Sequence, residues 1–190
     1  MLRLSGGKFR GRLLRVPPSR GKNEVRPSKA MLRQALFNSI QMSVPDARVL
    51  DLFAGSGSLG LEALSRGASA VTAVENHRVS IQVIQDNVKA LGVGTDLTIL
   101  PLSVDRAWSE ILRTGPYDLV LADPPYADGW ELRLLEEAPW AELLGPEGLF
   151  VLEWGVVKSK FESLPEETPF LVKIREKLYG DSGLTTYRKK

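Results

Sequence analysis

Asp51-Leu52-Phe53-Ala54-Gly55-Ser56-Gly57-Ser58-Leu59-Gly60 decides the fold class of this 190-residue chain. The apolar run 49–53 leads into it and a segment of helical spacing reaching about Arg66 follows. Strand, glycine turn and helix in that order are how nucleotide-type cofactor loops are built. Glycines at 55 and 57 let the main chain approach a ligand with no Cβ in the way. G-x-G-x-x-G alone also describes nicotinamide-binding loops and simple turns, so its neighbours must decide. Asp51, at the carboxyl end of the strand, suits a ligand carrying an ammonium and a sulfonium; a pyrophosphate would be repelled there. Glu75 follows Gly55 by twenty residues, at the end of the next strand, where an acid can accept bonds from both hydroxyls of a ribose. The expected cofactor is S-adenosylmethionine, with Asp51, Phe53, Gly55, Ser56, Gly57, Glu75 and Asn76 as its contacts.

Outward from the turn, short apolar runs alternate with amphipathic segments, the pattern of a doubly wound α/β domain. Strands are expected at 49–53, 70–75, 96–100, 117–122 and 148–153, with a final antiparallel pair at 170–178 and 183–188. Helices are expected at 104–112, around 132–143, and on the stripe Ile81, Ile84, Val88 and Leu91, which Gly92 should cap. Residues 46–190 thus read as a Rossmann-like domain on a mostly parallel seven-stranded sheet with an antiparallel last strand, an architecture shared by class I S-adenosylmethionine-dependent methyltransferases. Residues 1–45 read as a small extension. Residues 2–16 form a β-hairpin arm around Gly6 and Gly7. A helix capped by Ser28 then places Leu32, Ala35, Leu36 and Ile40 on one face.

The strand at 117–122 runs straight into Asp123-Pro124-Pro125-Tyr126, at the sheet edge where open α/β folds bind ligands. Proline cannot donate, so the Asp123 carboxylate and the Pro124 carbonyl remain as acceptors. An aromatic ring follows at once. This set suits methyl transfer to an aromatic amine, whose lone pair is delocalised into its ring. Asp123 and Pro124 would hold the amino hydrogens, and Tyr126 would stack on a base taken out of its helix. Because a sulfonium is already a good leaving group, positioning suffices and the reaction requires no metal.

The net charge of +2 is unevenly spread. Residues 1–33 hold ten Lys or Arg against the single acid Glu24, a balance of +9 that leaves −7 on the rest. Basic charge gathered at one end of an acidic protein is the footprint of phosphate-backbone binding. The absence of cysteine excludes disulfides, thiolate metal sites and a cysteine nucleophile. No apolar run could span a bilayer and no signal peptide precedes the arm, so a cytoplasmic location is expected. His77, without a His or Cys partner, reads as a surface residue at a helix start. Trp108, Trp140 and Trp154 read as core; Trp130 lies nearer the acceptor cluster.

With these motifs in place, the chain resembles the RsmD family of bacterial small-subunit rRNA guanine-N2 methyltransferases over nearly its whole length. The resemblance is carried by Gly6-Gly7, Arg10-Gly11-Arg12-Leu13, Arg26-Pro27, Arg33, Leu36-Phe37-Asn38, the glycine turn with Gly60, Glu62 and Ala63, Ser65-Arg66-Gly67-Ala68, Glu75, Asp123-Pro124-Pro125-Tyr126 and Tyr179-Gly180. It implies methylation of one 16S rRNA guanine on N2, within a small subunit or its assembly intermediate, with Arg10, Arg12, Arg26, Arg33 and Asn38 toward the RNA. Phe37 would close over cofactor or core. Ser28 stands where the family often has threonine. Position 103, commonly acidic or amide and facing the cofactor's adenine, is serine here, so Ser103 or Asp105 takes that contact. The motifs themselves serve adenine N6 methylation of RNA or DNA equally well, and a nicotinamide-dependent oxidoreductase would explain the turn while leaving Asp123 idle.

Overall fold

The computed structural model describes residues 1–18, 27–125, 128–156 and 163–190. Two short strands, β1 (Leu2–Arg3) and β2 (Leu13–Leu14), precede helix α1 (Pro27–Ser39). Strands and helices then alternate as β3 (Arg48–Leu52), α2 (Ser58–Ser65), β4 (Ala70–Val74), α3 (Arg78–Leu91), β5 (Leu97–Leu100), α4 (Val104–Thr114) and β6 (Tyr117–Ala122). Helices α5 (Trp130–Glu137) and α6 (Trp140–Leu143) lead to β7 (Leu144–Gly155), β8 (Leu171–Tyr179) and β9 (Ser182–Lys189). The large sheet has the order β5-β4-β3-β6-β7-β9-β8. Its strands pair in parallel from β5 to β7, and β9 runs antiparallel to both neighbours. This is the expected seven-stranded sheet with its reversed last strand.

Successive strand residues face opposite layers. Val49, Val71, Leu119 and Val151 pack with α1, α2, α3 and the arm, whereas Leu50, Leu52, Val120 and Phe150 pack with α4, α5 and α6. Because the chain leaves β3 toward β4 and β5 and then returns to β6, the crevice between the carboxyl ends of β3 and β6 is the topological switch point, where such sheets hold ligands.

Three elements depart from the sequence reading. The helix expected around 132–143 is broken at Ala138, whose ψ of 145° is extended. Pro139 forces this, since it lacks an N–H and disfavours helical geometry in the residue before it. Strand β7 begins earlier than expected, with Leu144 paired to Tyr117 before a register shift that brings Leu149 opposite Leu119. A 3-10 turn, Gln41–Ser43, follows α1. The Ser28 cap lies outside the described side chains, while Gly92 caps α3 in the left-handed conformation (φ 70°) as expected.

The arm is welded to the body through α2. Glu62, fully buried, accepts the Ser5 N–H at 2.9 Å and Oγ–H at 2.7 Å, and receives Arg66 Nε at 2.8 Å. Arg33, 5% exposed, reaches the same carboxylate at 3.5 Å and donates to the Arg3 carbonyl at 2.7 Å. Burial lowers the Arg33 pKa and the Glu62 charge opposes that shift. Lys8 N–H and Phe9 N–H donate to the Ser65 carbonyl and Oγ, satisfying the end of α2. Gly7 (φ 72°) lies so close that a Cβ would stand 1.7 Å from the Ser65 carbonyl oxygen. Leu4 and Leu14, each 1% exposed, belong to the same core as β3 and α2. Glu62→Gln therefore leaves two guanidiniums without their counter-charge and should cost about 3 kcal/mol or more in urea unfolding; a loss under roughly 1 kcal/mol would contradict the clamp.

Candidate active site

The carboxyl ends of β3, β4 and β6 open into a cavity of about 500 Å³. Phe53, Val74, Glu75 and Asn76 line one part of it, Leu102, Ser103 and Val104 another, and Asp123, Pro124 and Pro125 a third. Lys29 from α1, with Asp128 before α5 and Trp130 at its start, completes the wall. Phe53 of the glycine turn and the acceptor cluster, about seventy residues apart in sequence, thus share one hollow, while Gly55, Ser56 and Gly57 lie outside its lining.

The turn after β3 is held open by main-chain strain and carboxylate bonds. Phe53 has φ 62°, uncommon for a residue with a Cβ, followed by Gly55 at 57° and Gly57 at 76°. A Cβ on Gly57 would also stand 3.3 Å from Ile84. Glu75 Oε2 accepts the Gly55 N–H and Oε1 accepts the His77 N–H, each at 2.7 Å. Glu75 thus braces the turn from β4 and presents its remaining lone pairs to the cavity.

Asp51 is fully buried under the turn. Its Oδ2 accepts the Gly60 N–H at 2.9 Å, while Oδ1 has no partner. Burial pushes its pKa up to about 7, the Gly60 bond opposes that shift, and the charges of Asp123 and Glu75 add to it. Unsatisfied acceptors at such depth are rare. An orphan carboxylate oxygen beneath a turn whose cavity is lined by further acids fits a cationic ligand, and these residues fit S-adenosylmethionine.

Asp123 leaves β6 with 27% of its side chain exposed, and Lys29 Nζ reaches its Oδ2 at 3.3 Å. Burial raises the Asp123 pKa and Lys29 opposes the rise. Pro124 is buried beside it. Tyr126 and Arg26, both expected at the site, lie outside the described residues. Trp130 meets Phe53 edge-on at 4.9 Å, and the Arg133 guanidinium stands 4.2 Å over its ring.

Several expected contacts fall elsewhere. Ser103 lines the cavity but Asp105 does not; its carboxylate is held by Arg133 at 2.8 Å. Arg33 is an interior cation engaged by Glu62, so it presents no charge to RNA. Arg10 and Asn38 are exposed away from the cavity lining, and Arg12, also exposed, donates to the Ala90 carbonyl. Ser56 lies within the turn, outside the cavity lining, and its carbonyl accepts a bond from the Asn87 side chain. Phe37 is fully buried core. The sequence offers Lys29 only as one of the ten cations of residues 1–33, and no local signal ties it to Asp123. Among the described residues no helix is long and apolar enough to cross a membrane, and no acid or histidine group could hold a metal ion.

A family model described as conserved hypothetical protein 95 matches residues 2–188. The chain belongs to this family, the RsmD family. It is 34% identical, over 99% of its length and 90% of the relative's, to ribosomal RNA small subunit methyltransferase D of Escherichia coli K12. It is 30% identical, over the whole of both chains, to the putative rRNA methyltransferase YlbH of Bacillus subtilis. The solved structure of the putative methyltransferase yhhF from E. coli superposes with a TM-score of 0.78 at 32% identity, covering 100% of this chain and 98% of that one. A Thermus thermophilus 16S rRNA N2 methyltransferase, RsmC, solved with AdoMet and guanosine, superposes with a TM-score of 0.64 at 26% identity, covering 90% of this RsmD-family chain and 45% of its own. The fold is that of S-adenosylmethionine-dependent methyltransferases.

An acid whose folded pKa lies above its unfolded value takes up a proton on folding. The ligand-free protein should therefore lose stability as pH rises from roughly 4 to 7, by up to about 1.4 kcal/mol per unit. Asp51→Asn should flatten that slope in urea unfolding across this range, and equal slopes in the two proteins would refute the assignment.

Proposed function

We propose that this RsmD-family chain methylates N2 of one guanine in 16S rRNA, presented by a small ribosomal subunit or its assembly intermediate in the cytoplasm. One observation carries the reading: Asp123 and Pro124 open into the same cavity as Glu75, with Asp51 buried beneath the adjoining turn. The rRNA methyltransferase activity of the E. coli relative supports it, as does the guanosine in the RsmC structure.

When bound, S-adenosylmethionine supplies an electrophilic methyl group on a sulfonium leaving group. Glu75 would hold its ribose, Ser103 and Asn76 would stand toward its adenine, and Asp51 would balance its cationic end. Asp123 and the Pro124 carbonyl would accept the two amino hydrogens of the base, turning the nitrogen lone pair toward the methyl carbon. The base stacks on Tyr126 after leaving its helix. As the C–N bond forms and the methyl–sulfur bond breaks with its electron pair left on sulfur, the nitrogen would become cationic and release one proton, which Asp123 would accept and pass to solvent. A carboxylate whose pKa is raised by burial suits that transient role.

The exposed cations of the arm would supply the phosphate contacts. Because Leu4 and Leu14 are core, deleting the arm would open the core, and charge substitution is the cleaner test. Arg10→Glu with Arg12→Glu should weaken RNA binding and lower its salt slope by about 0.7 per lost contact while cofactor affinity stands; an unchanged slope would remove the arm from the interface. Asp123→Ala should lower methyl transfer to unmodified small subunits by about 100-fold or more, with cofactor binding retained. Retained transfer would overturn the proposed chemistry. Digestion of the wild-type product to nucleosides should yield N2-methylguanosine; N6-methyladenosine would move the same chemistry to the other base.

A further inference from the structure

Lys29 is the feature of the site that the motifs do not account for. Its helix, α1, belongs to the basic N-terminal segment, yet its ammonium crosses to Asp123 at 3.3 Å and lines the cavity. Among the described lining residues it is the single cation, facing three acids: Glu75 after β4, Asp123 after β6 and Asp128 before α5. Asp51 adds a fourth carboxyl from β3, beneath the turn. Burial at the edge of this hollow favours the neutral form of Asp123, and the Lys29 ammonium opposes it. A neutral Asp123 carries a proton where it must accept one from the acceptor amine, and one of its oxygens is lost as an acceptor.

We propose that Lys29 is a positioning residue for methyl transfer: its ammonium keeps the Asp123 carboxylate charged and turned into the cavity, ready for the amine of the incoming base. The inference rests on the role of Asp123 proposed above. It gives α1 a part in the reaction. With 58% of its side chain exposed, Lys29 can withdraw into water as the base arrives, so the ion pair orients Asp123 without blocking it.

Two readouts test this, one of them free of cofactor and RNA. Carbon-13 titration of the Asp123 carboxyl in the ligand-free protein should give a midpoint about one pH unit higher in Lys29→Met than in wild type. Lys29→Arg, which keeps the charge, should stay near wild type. The acid limb of the methyl-transfer rate should move in the same direction, so that Lys29→Met loses about tenfold on that limb and less as pH rises. A midpoint unmoved in Lys29→Met would overturn the inference. So would a rise in KM for the RNA that is equal at every pH, the mark of a phosphate contact. Thermal unfolding of each variant establishes that its profile belongs to folded protein. Asp123→Ala separates the two levels: if that variant still transfers methyl groups, the reading of Asp123 itself falls; if it is inactive while Lys29→Met leaves the midpoint in place, only the role of Lys29 falls.

Discussion

Helix α2 lies against β3 and β4 at a distance that only glycine permits. A Cβ on Gly60 would stand 2.8 Å from Val71 and 3.3 Å from Asp51 Oδ2. That closeness brings the Gly60 N–H within reach of the buried Asp51 and sets the slope of the turn between them. It also fixes the opposite end of the same short helix, where Glu62, Ser65 and Arg66 receive the arm. A helix of eight residues thus serves the cofactor turn at its start and the N-terminal extension at its end. A bulkier residue at position 60 would disturb both.

Much of the fold could be read from the chain because its signals are local. The 49–53 run, the glycine turn and the alternation that follows are carried by neighbours in sequence, and tertiary packing agreed with them. The break before α6 was also written locally, in Pro139, but the apolar spacing on either side outweighed it. Packing reinforces the break, since Trp140 turns inward to 1% exposure and donates to the Leu134 carbonyl.

The site was legible where motifs carry it and opaque where charge depends on direction. Glu75 and Asp123 sit at strand ends, and strand ends can be predicted. Counting cations cannot say which way they point. Arg33 and Lys29 lie four residues apart on one helix, yet one is buried against Glu62 and the other reaches a carboxylate 94 residues away. Asp105 likewise looked available to a ligand until α5 brought Arg133 to it. Such partners are chosen by the fold.

The contact between Gly6-Gly7 and Ser65-Arg66 has an evolutionary side. Two short segments, 59 residues apart where Ser65 Oγ meets the Gly6 carbonyl, are complementary in shape, and neither can drift alone. An arm grafted from this chain onto another catalytic body would arrive without its socket. A working chimera would have to import the second half of α2 together with Arg33 and its helix, so inheritance of the arm is bound to inheritance of the scaffold beneath it.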